Sequence, residues 1–495
     1  MLKDLKALGK ESLIYGLSTV GARLLNFLLM PFYTHYLLPA EYGIVATVFS
    51  YIAFLNILYQ YGMDQAYMRH YAHREKAFST AYSCVLVTSV CFSAVLACCP
   101  SFWAGLGGIG PERGNLVLYA AAILFLDSIN VLPFADLRMA HKPFYFAGVR
   151  MASITLNVVL NIVFLTRLGM GIEGVFLANL ISSLFSVAAV PKRFTFTFDP
   201  ELFRKLVDYS LPLLPAGLGA MAVQVIDRPI LLRLAGESAV GIYQANYRLG
   251  IFMVLIVSMF DQAWRPFFLE RADKPGGPAV FARVLTYFTL ALVWLGMALS
   301  FFIPDLARLQ IAGRALIHES YWPGLPIIPV VLFAYLVNGI YVNLLAPIII
   351  SKKTKAIMVA TFAGALVNVA ANFALIPRFG IFGPPWAAFA AYCVMALIVY
   401  FYGRRYFPVP YELKRLGLIA ATALVLSLPA IAGWVTSGWQ WTAYRFLALS
   451  AYPVVLLAIG FFLPEEKQKA CVLVGRTQVC LYKDDGTDQQ GPTPQ

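Results

Sequence analysis

Four arginines lie inside long apolar stretches of the sequence, where charged side chains are rare: Arg23, Arg150, Arg228 and Arg248. An ionised side chain in the middle of a bilayer is costly unless it faces a polar cavity or pairs with an opposite charge. A guanidinium keeps its charge when buried, and its planar fork binds two phosphate oxygens at once, whereas a buried lysine loses its proton more readily. The pattern predicts either a site for an anionic, phosphate-bearing ligand or a set of structural ion pairs.

Acidic and amide side chains share these stretches. A carboxyl group in an apolar segment is a candidate for binding a proton or a cation, which makes Asp127 and Asp227 candidate ion-coupling residues. Because Asp227 precedes Arg228, these two residues could instead form a local structural pair. No metal site is predicted, since the cysteines form no CxxC or CxxH pattern. Candidate contacts for the hydroxyl groups of a sugar are the amides of Asn26, Gln224 and Asn246.

Membrane-spanning helices must position these side chains. Of the 495 residues, 60% are hydrophobic and 13% are charged, against about 25% charged in an ordinary soluble domain. Apolar stretches of about 20 residues, the length of a transmembrane helix, recur from Ser12 to Leu463 without the alternation expected of barrel strands. We therefore predict an all-α integral membrane protein of about 14 helices, two of them continuous over residues 206–232 and 239–264.

The distribution of the net charge of +13 predicts the orientation of the chain. Loops on one side of the membrane hold 27 lysines and arginines, and loops on the other side hold 7. Because cytoplasmic loops carry the basic excess, this bias places both termini in the cytoplasm and requires an even number of spans. The basic residues are therefore expected to contact the surface of the lipid bilayer and not nucleic acid.

An internal duplication divides the chain. Three short patterns recur in the same order at offsets of 197 to 211 residues. They are Pro31 to Gly43 with Pro229 to Gly241, Asp64 to Ala66 with Asp261 to Ala263, and Asn157, Asn161 and Arg167 with Asn368, Asn372 and Arg378. Six intervening helices preserve orientation, so the halves are predicted to be parallel repeats. We predict six-helix halves at 1–195 and 196–405, two additional helices at 406–464 and a disordered cytoplasmic tail at 465–495.

The first span ends in a distinctive segment, GLSTVGARLLNFLLMPFYTHYLLPAEYG, at residues 16–43. Together with the two six-helix halves and the two extra helices, this segment resembles the start of oligosaccharide flippases of bacterial polysaccharide biosynthesis. These proteins form the Wzx-type branch of the multidrug/oligosaccharidyl-lipid/polysaccharide exporter superfamily. The resemblance covers residues 5–460, and its most specific part is the LLPAEYG at the end of the first span.

That resemblance implies a V-shaped transporter, similar to MATE and MurJ proteins, in the bacterial inner membrane. Such a protein is not an enzyme. It moves an undecaprenyl-pyrophosphate-linked oligosaccharide from the cytoplasmic to the periplasmic leaflet by alternating access, for the synthesis of O-antigen, capsule or exopolysaccharide. A polymerase and a chain-length regulator of the same pathway are candidate partners. Arginines line the cavity between the halves in that family, which favours Arg23 and Arg248 as pyrophosphate contacts, followed by Arg228 and Arg150.

The sequence leaves the energy source and the cargo open. It contains no Walker motif, GxxxxGKS or GxxxxGKT, so no cofactor is expected, and a proton or sodium gradient is the candidate energy source. Two members of the same superfamily remain alternatives: an ion-coupled multidrug antiporter, with carboxylates in place of Arg23, and a peptidoglycan-precursor flippase. A membrane glycosyltransferase or polymerase is disfavoured, because it needs a large catalytic loop and the predicted loops are short.

Overall fold

The computed structural model describes residues 21, 24–25, 27–191, 197–311, 313–434, 438–463 and 466. Within these residues, twelve helical segments are long and apolar enough to cross a membrane, and one of them, Lys355–Tyr406, holds two helices. The all-α integral membrane class is confirmed. The number of about 14 spans stays a prediction, because part of the first predicted span lies outside the described residues.

The helices follow one another with short connections, and we number them in chain order. They are α1 (27–36), α2 (Pro39–Gln60), α3 (Met63–Arg69), α4 (Arg74–Cys98), α5 (Pro100–Leu106), α6 (Gly114–Met139), α7 (Pro143–Thr166), α8 (Gly171–Ala189), α9 (Pro200–Ser210), α10 (Leu213–Val225), α11 (Asp227–Ala235), α12 (Glu237–Leu249), α13 (Ile251–Arg271), α14 (Gly277–Arg308), α15 (Ile328–Ile350), α16 (Lys355–Phe379), α17 (Gly383–Tyr406), α18 (Leu413–Ile431) and α19 (Gly438–Ala458). Between α14 and α15 lie a two-stranded antiparallel hairpin, β1 (Gln310–Ile311) with β2 (Arg314–Ala315), and a 3₁₀ helix, Glu319–Ile327.

Two predicted continuous spans are divided by breaks. The stretch 206–232 contains separate helices, and α10 gives way to α11 at Ile226. The stretch 239–264 is divided at Gly250, between α12 and α13. A Cβ atom at Gly250 would come within 2.8 Å of the Val331 side chain in α15, so this close packing requires glycine. Both predictions of a continuous helix were wrong. Each stretch is apolar on average, but charged residues lie at the breaks, with Asp227 beside Ile226 and Arg248 close to Gly250.

The two halves meet where α2 crosses α12. A Cβ atom at Gly43 would overlap the carbonyl oxygen of Glu237, and a Cβ atom at Gly241 would overlap that of Pro39. Both pairs are related by the offset of 198 residues seen in the sequence. The contact is therefore pseudo-symmetric, and glycine at both positions allows the two backbones to touch.

The repeated asparagine pairs make the same hydrogen bonds in both halves. In α7, Asn161 Nδ2 donates to the carbonyl oxygen and to Oδ1 of Asn157, at 2.9 and 3.1 Å. In α16, Asn372 Nδ2 donates to the same two atoms of Asn368, at 2.8 and 3.1 Å. Asn161 Oδ1 also accepts from the Tyr33 hydroxyl at 3.0 Å. Asn372 Oδ1 has no partner within the described residues, and the equivalent of Tyr33 in the second half is a leucine.

The last two helices are fastened to α14 near both of its ends. Arg415 of α18 pairs with Glu412 and with Glu466, each at 2.9 Å, and Glu412 also accepts from Thr286 of α14 at 2.7 Å. Towards the other end of α14, the buried guanidinium of Arg445 in α19 donates to the Phe301 carbonyl oxygen at 3.0 Å and pairs with Asp305. Helices α18 and α19 are thus joined to the second half by two buried arginines.

Glu466 lies beyond the last span and completes the contact with Arg415. Burial alone would raise the pKa of the Glu466 carboxyl, but hydrogen bonds from the Leu463 N–H, Tyr287 and Arg415 outweigh burial and lower that pKa below its ordinary value of 4.5. The carboxylate is therefore ionised at neutral pH and serves as a fixed partner of Arg415.

Candidate functional site

The contact between α2 and α12 continues into a polar seam between the halves. The seam joins residues 34–43 of the first half to residues 233–241 and 315–321 of the second, and Arg113 Nη1 reaches across to Glu237 Oε1 at 2.6 Å. Further hydrogen bonds cross the seam, among them those from Tyr321 to the Leu37 carbonyl oxygen at 2.9 Å, between His35 and the Ala315 carbonyl oxygen at 2.7 Å, and from Arg233 to the Leu106 carbonyl oxygen. The seam closes one end of the junction between the halves.

Arg248 lies beside this seam, in the last turn of α12. The C-terminal end of a helix favours a cation, and the break at Gly250 places the guanidinium at that end. Its Cζ lies 5.9 Å from the ring centroids of both Tyr33 and Tyr42, at the outer limit of a cation–π contact. Arg248 is partly exposed and makes no hydrogen bond or ion pair with any residue that the structure describes. Its donors are therefore available to a ligand.

Arg228 is held in a different way. It lies in the first turn of α11 and is 5% exposed. Nη1 pairs with Asp227 Oδ1 at 2.7 Å, Nε donates to Gln244 at 3.0 Å, and the guanidinium lies 4.4 Å from the ring centroid of Tyr247. Asp227 also accepts from the Tyr243 hydroxyl at 2.6 Å. This is the local pair that the sequence left open, and it neutralises both charges.

Tyr42 lies beside Arg248 and has a buried hydroxyl. Its side chain is 1% exposed, and its hydroxyl has no hydrogen-bond partner among the described residues. The charges of Arg248 and, less strongly, Arg228 both act on it. Tyr42 is not among the site residues predicted from the sequence, although it is the tyrosine of the LLPAEYG segment. That segment is the one signal in the sequence that could have identified it.

A second polar cluster lies within the first half, around Asp127 of α6. The Asp127 carboxylate accepts a hydrogen bond from Ser183 of α8 at 2.7 Å and another from Asn56 of α2. Arg150 of α7 is exposed, and its charge acts on Asp127. Four helices thus surround one carboxyl group with hydroxyl, amide and guanidinium groups.

The remaining predicted residues are not brought to one place. Arg23 and Asn26 lie outside the described residues. The Gln224 side chain is exposed, and the backbone carbonyl oxygen of Gln224 accepts from Arg228. Asn246 is fully buried and donates to the backbone carbonyl oxygen of Tyr321 in the seam at 2.9 Å. Their assignment as sugar contacts stays a prediction. Across the described part of the chain, no group of three or more His, Cys, Asp or Glu side chains is arranged to hold a metal ion.

A long apolar groove runs along the second half between α14 and α19. It has a volume of 690 Å³. Tyr287 and Trp294 line it from α14, Phe446 and Tyr452 line it from α19, and Phe462 lines it beyond α19. In the groove, Trp294 Nε1 donates to the carbonyl oxygen of Leu449 at 3.1 Å, so α14 and α19 are in contact there as well as near the ends of α14.

A family of polysaccharide biosynthesis proteins matches the chain over residues 8–271. No curated protein sequence matches it. Among solved structures, the lipid II flippase MurJ in an inward closed conformation is 13% identical, with a TM-score of 0.71 over 90% of this chain and 98% of that one. A multidrug resistance MATE family transporter is similar in two conformations. The inward-facing structure gives 16% identity and a TM-score of 0.63 over 81% and 96%, and the outward-facing structure gives 15% and 0.57 over 84% and 96%. At these identities the similarity shows the fold alone.

Proposed function

Because the chain belongs to the family of polysaccharide biosynthesis proteins, we propose that it is a flippase for an undecaprenyl-pyrophosphate-linked oligosaccharide. It would carry this cargo from the cytoplasmic to the periplasmic leaflet of the bacterial inner membrane by alternating access, for O-antigen, capsule or exopolysaccharide synthesis. The fold shared with MurJ and MATE transporters supports a transporter of two halves. The charge bias of the loops supports cytoplasmic termini.

The observation that carries this proposal is the guanidinium of Arg248, which pairs with no residue that the structure describes. The cargo presents a pyrophosphate, and a planar guanidinium binds two of its oxygens at once. The charge of Arg228, by contrast, is neutralised by Asp227, and most of its N–H donors are occupied by neighbouring groups. Within the described residues, Arg248 is thus the arginine of the junction that is best suited to an anionic head group, with Arg228 and Arg150 in supporting positions.

The apolar groove between α14 and α19 supports a lipid-linked cargo. A head group in the junction must stay attached to a polyprenyl tail that remains in hydrocarbon. The groove offers apolar and aromatic side chains along a transmembrane helix of the same half that holds Arg248. A tail lying there would keep its contacts with apolar groups while the head group crosses.

Coupling to an ion gradient would use Asp127. Its carboxylate has a hydroxyl and an amide as partners, and the exposed Arg150 acts on it from a neighbouring helix. A proton or a sodium ion bound there would change the charge of the cluster. Asp227, the other coupling candidate, is already engaged by Arg228 and Tyr243 and is the weaker choice.

The same features bear on the alternatives. A multidrug antiporter for cationic compounds needs an available carboxylate at the junction, and Asp227 is neutralised by Arg228. A peptidoglycan-precursor flippase would use the same pyrophosphate contact, so only the sugar distinguishes it. A polymerase and a chain-length regulator are the partners we expect for an oligosaccharide cargo.

The test removes Arg248 and compares it with a matched arginine. Arg308 is exposed and lies 5.2 Å from the Trp322 ring, outside the junction. In proteoliposomes loaded with undecaprenyl-pyrophosphate oligosaccharide, Arg248→Ala should abolish flipping and Arg248→Lys should restore part of it. Arg308→Ala should flip normally. Full flipping by Arg248→Ala at normal abundance would overturn the anionic-cargo assignment, and preference for the peptidoglycan precursor would select the sister function.

A further inference from the structure

Tyr42 has a buried hydroxyl that the proposed function leaves unexplained. Its hydroxyl is buried without a partner among the described residues, although a buried hydroxyl without a hydrogen bond costs free energy. Such a group in a native structure needs an explanation. Its ring is well packed, with Tyr33 at 5.5 Å and Tyr321 at 6.1 Å between centroids, so the unmet requirement belongs to the hydroxyl alone.

The neighbouring tyrosines do not share this defect. The Tyr33 hydroxyl donates to Asn161 at 3.0 Å, and the Tyr321 hydroxyl donates across the seam to the Leu37 carbonyl oxygen at 2.9 Å. Both hydroxyls are satisfied while the halves are in contact, and that of Tyr321 stabilises the contact. Tyr42 therefore differs from both, because its hydroxyl destabilises the closed seam.

The position of Tyr42 relates this cost to the cargo. It precedes Gly43, where α2 touches α12, and its ring lies beside the guanidinium of Arg248. When α2 separates from α12, the hydroxyl is no longer sealed off by the second half. A phosphate oxygen bound to Arg248 is then a suitable acceptor for the Tyr42 hydroxyl, since a hydroxyl donates a strong hydrogen bond to an anionic oxygen.

We propose that Tyr42 is the residue through which bound cargo favours separation of the halves: its hydroxyl lacks a partner in the closed seam and donates to the phosphate on Arg248 when the seam opens. A ligand shifts a conformational equilibrium only if it binds the two states differently. Tyr42 supplies that difference, because the hydrogen bond exists in the open state alone. This inference rests on the proposed function.

The experiment uses Tyr42→Phe, with Tyr321→Phe as the matched control. Hydrogen exchange of residues 34–43 and 233–241 is measured in the full chain, with and without undecaprenyl pyrophosphate as the probe. Cargo should accelerate this exchange in the unaltered protein, and Tyr42→Phe should reduce that acceleration about tenfold, the value of one hydrogen bond to a charged group. Thermal stability without cargo should stay equal or rise. Tyr321→Phe should lower stability and keep the response to cargo.

The outcomes separate this inference from the proposal on which it rests. Tyr42→Phe with an unchanged cargo response, or with the loss of stability expected of Tyr321→Phe, overturns the role of Tyr42 while Arg248→Ala still loses binding of undecaprenyl pyrophosphate. If Arg248→Ala binds the probe as well as the unaltered protein, the proposed function itself fails. A reduced response in Tyr42→Phe with intact stability supports both.

Discussion

Alanine at Gly43 tests whether the crossing of α2 and α12 controls access to the junction. Its Cβ would overlap the carbonyl oxygen of Glu237, a backbone atom that cannot turn aside, so the helices must move apart. Overpacking of this kind costs about 3 kcal/mol at its upper range. Alanine in place of a helical glycine returns about 1 kcal/mol. The net of about 2 kcal/mol corresponds to a shift of about 30-fold away from the closed seam.

Hydrogen exchange of residues 34–43 and 233–241 measures that shift directly. Gly43→Ala should accelerate exchange by about 30-fold, and flipping should fall because the seam no longer closes. Gly148→Ala is the control, since a Cβ there meets no atom within 4 Å and gains only helix propensity. Adding Gly241→Ala should cost much less than Gly43→Ala alone, because both side chains enter one contact. Unchanged exchange in Gly43→Ala would refute the seam as a gate.

Three further predictions concern other ionisable residues. Asp127→Asn should abolish the dependence of flipping on a proton or sodium gradient and leave flipping down a cargo gradient intact, which ion-gradient jumps in proteoliposomes can resolve. The pKa of Glu466 is lowered on folding, so the contribution of its carboxylate to stability is present above pH 4.5 and is lost as the pH falls through the folded pKa. The melting temperature should therefore fall on acidification. Glu466→Gln should make the melting temperature less dependent on pH. Arg23→Ala should abolish surface glycan at normal protein abundance, and normal glycan would remove Arg23 from the site.

The sequence was most informative where it repeats itself. The equivalence of Gly43 and Gly241 was visible as a recurrence at an offset of 198 residues, and the structure places these two glycines in one contact. The repeat of the asparagine pairs was likewise visible, and each pair makes the same hydrogen bond within its own helix. Apolar composition sufficed for the all-α membrane class, because lipid permits few architectures.

The features that composition could not reveal depend on contacts between residues that are distant in the sequence. The requirement for glycine at residue 250, where α12 ends, arises from Val331 in another helix. Whether Arg228 was paired could be posed as a question but not answered without geometry. Tyr42 escaped notice because a missing hydrogen bond is a property of the folded neighbourhood and not of a residue type.

The reciprocal contacts of Gly43 and Gly241 have an evolutionary implication. Residue 43 meets the backbone at 237 while residue 241 meets the backbone at 39, which is the arrangement of an isologous dimer interface. The protein thus has the geometry of two half-length subunits whose genes have been fused. In such an ancestral dimer one substitution would have altered both sides of the interface at once. After fusion each copy became free to diverge, as the leucine in place of Tyr33 already shows.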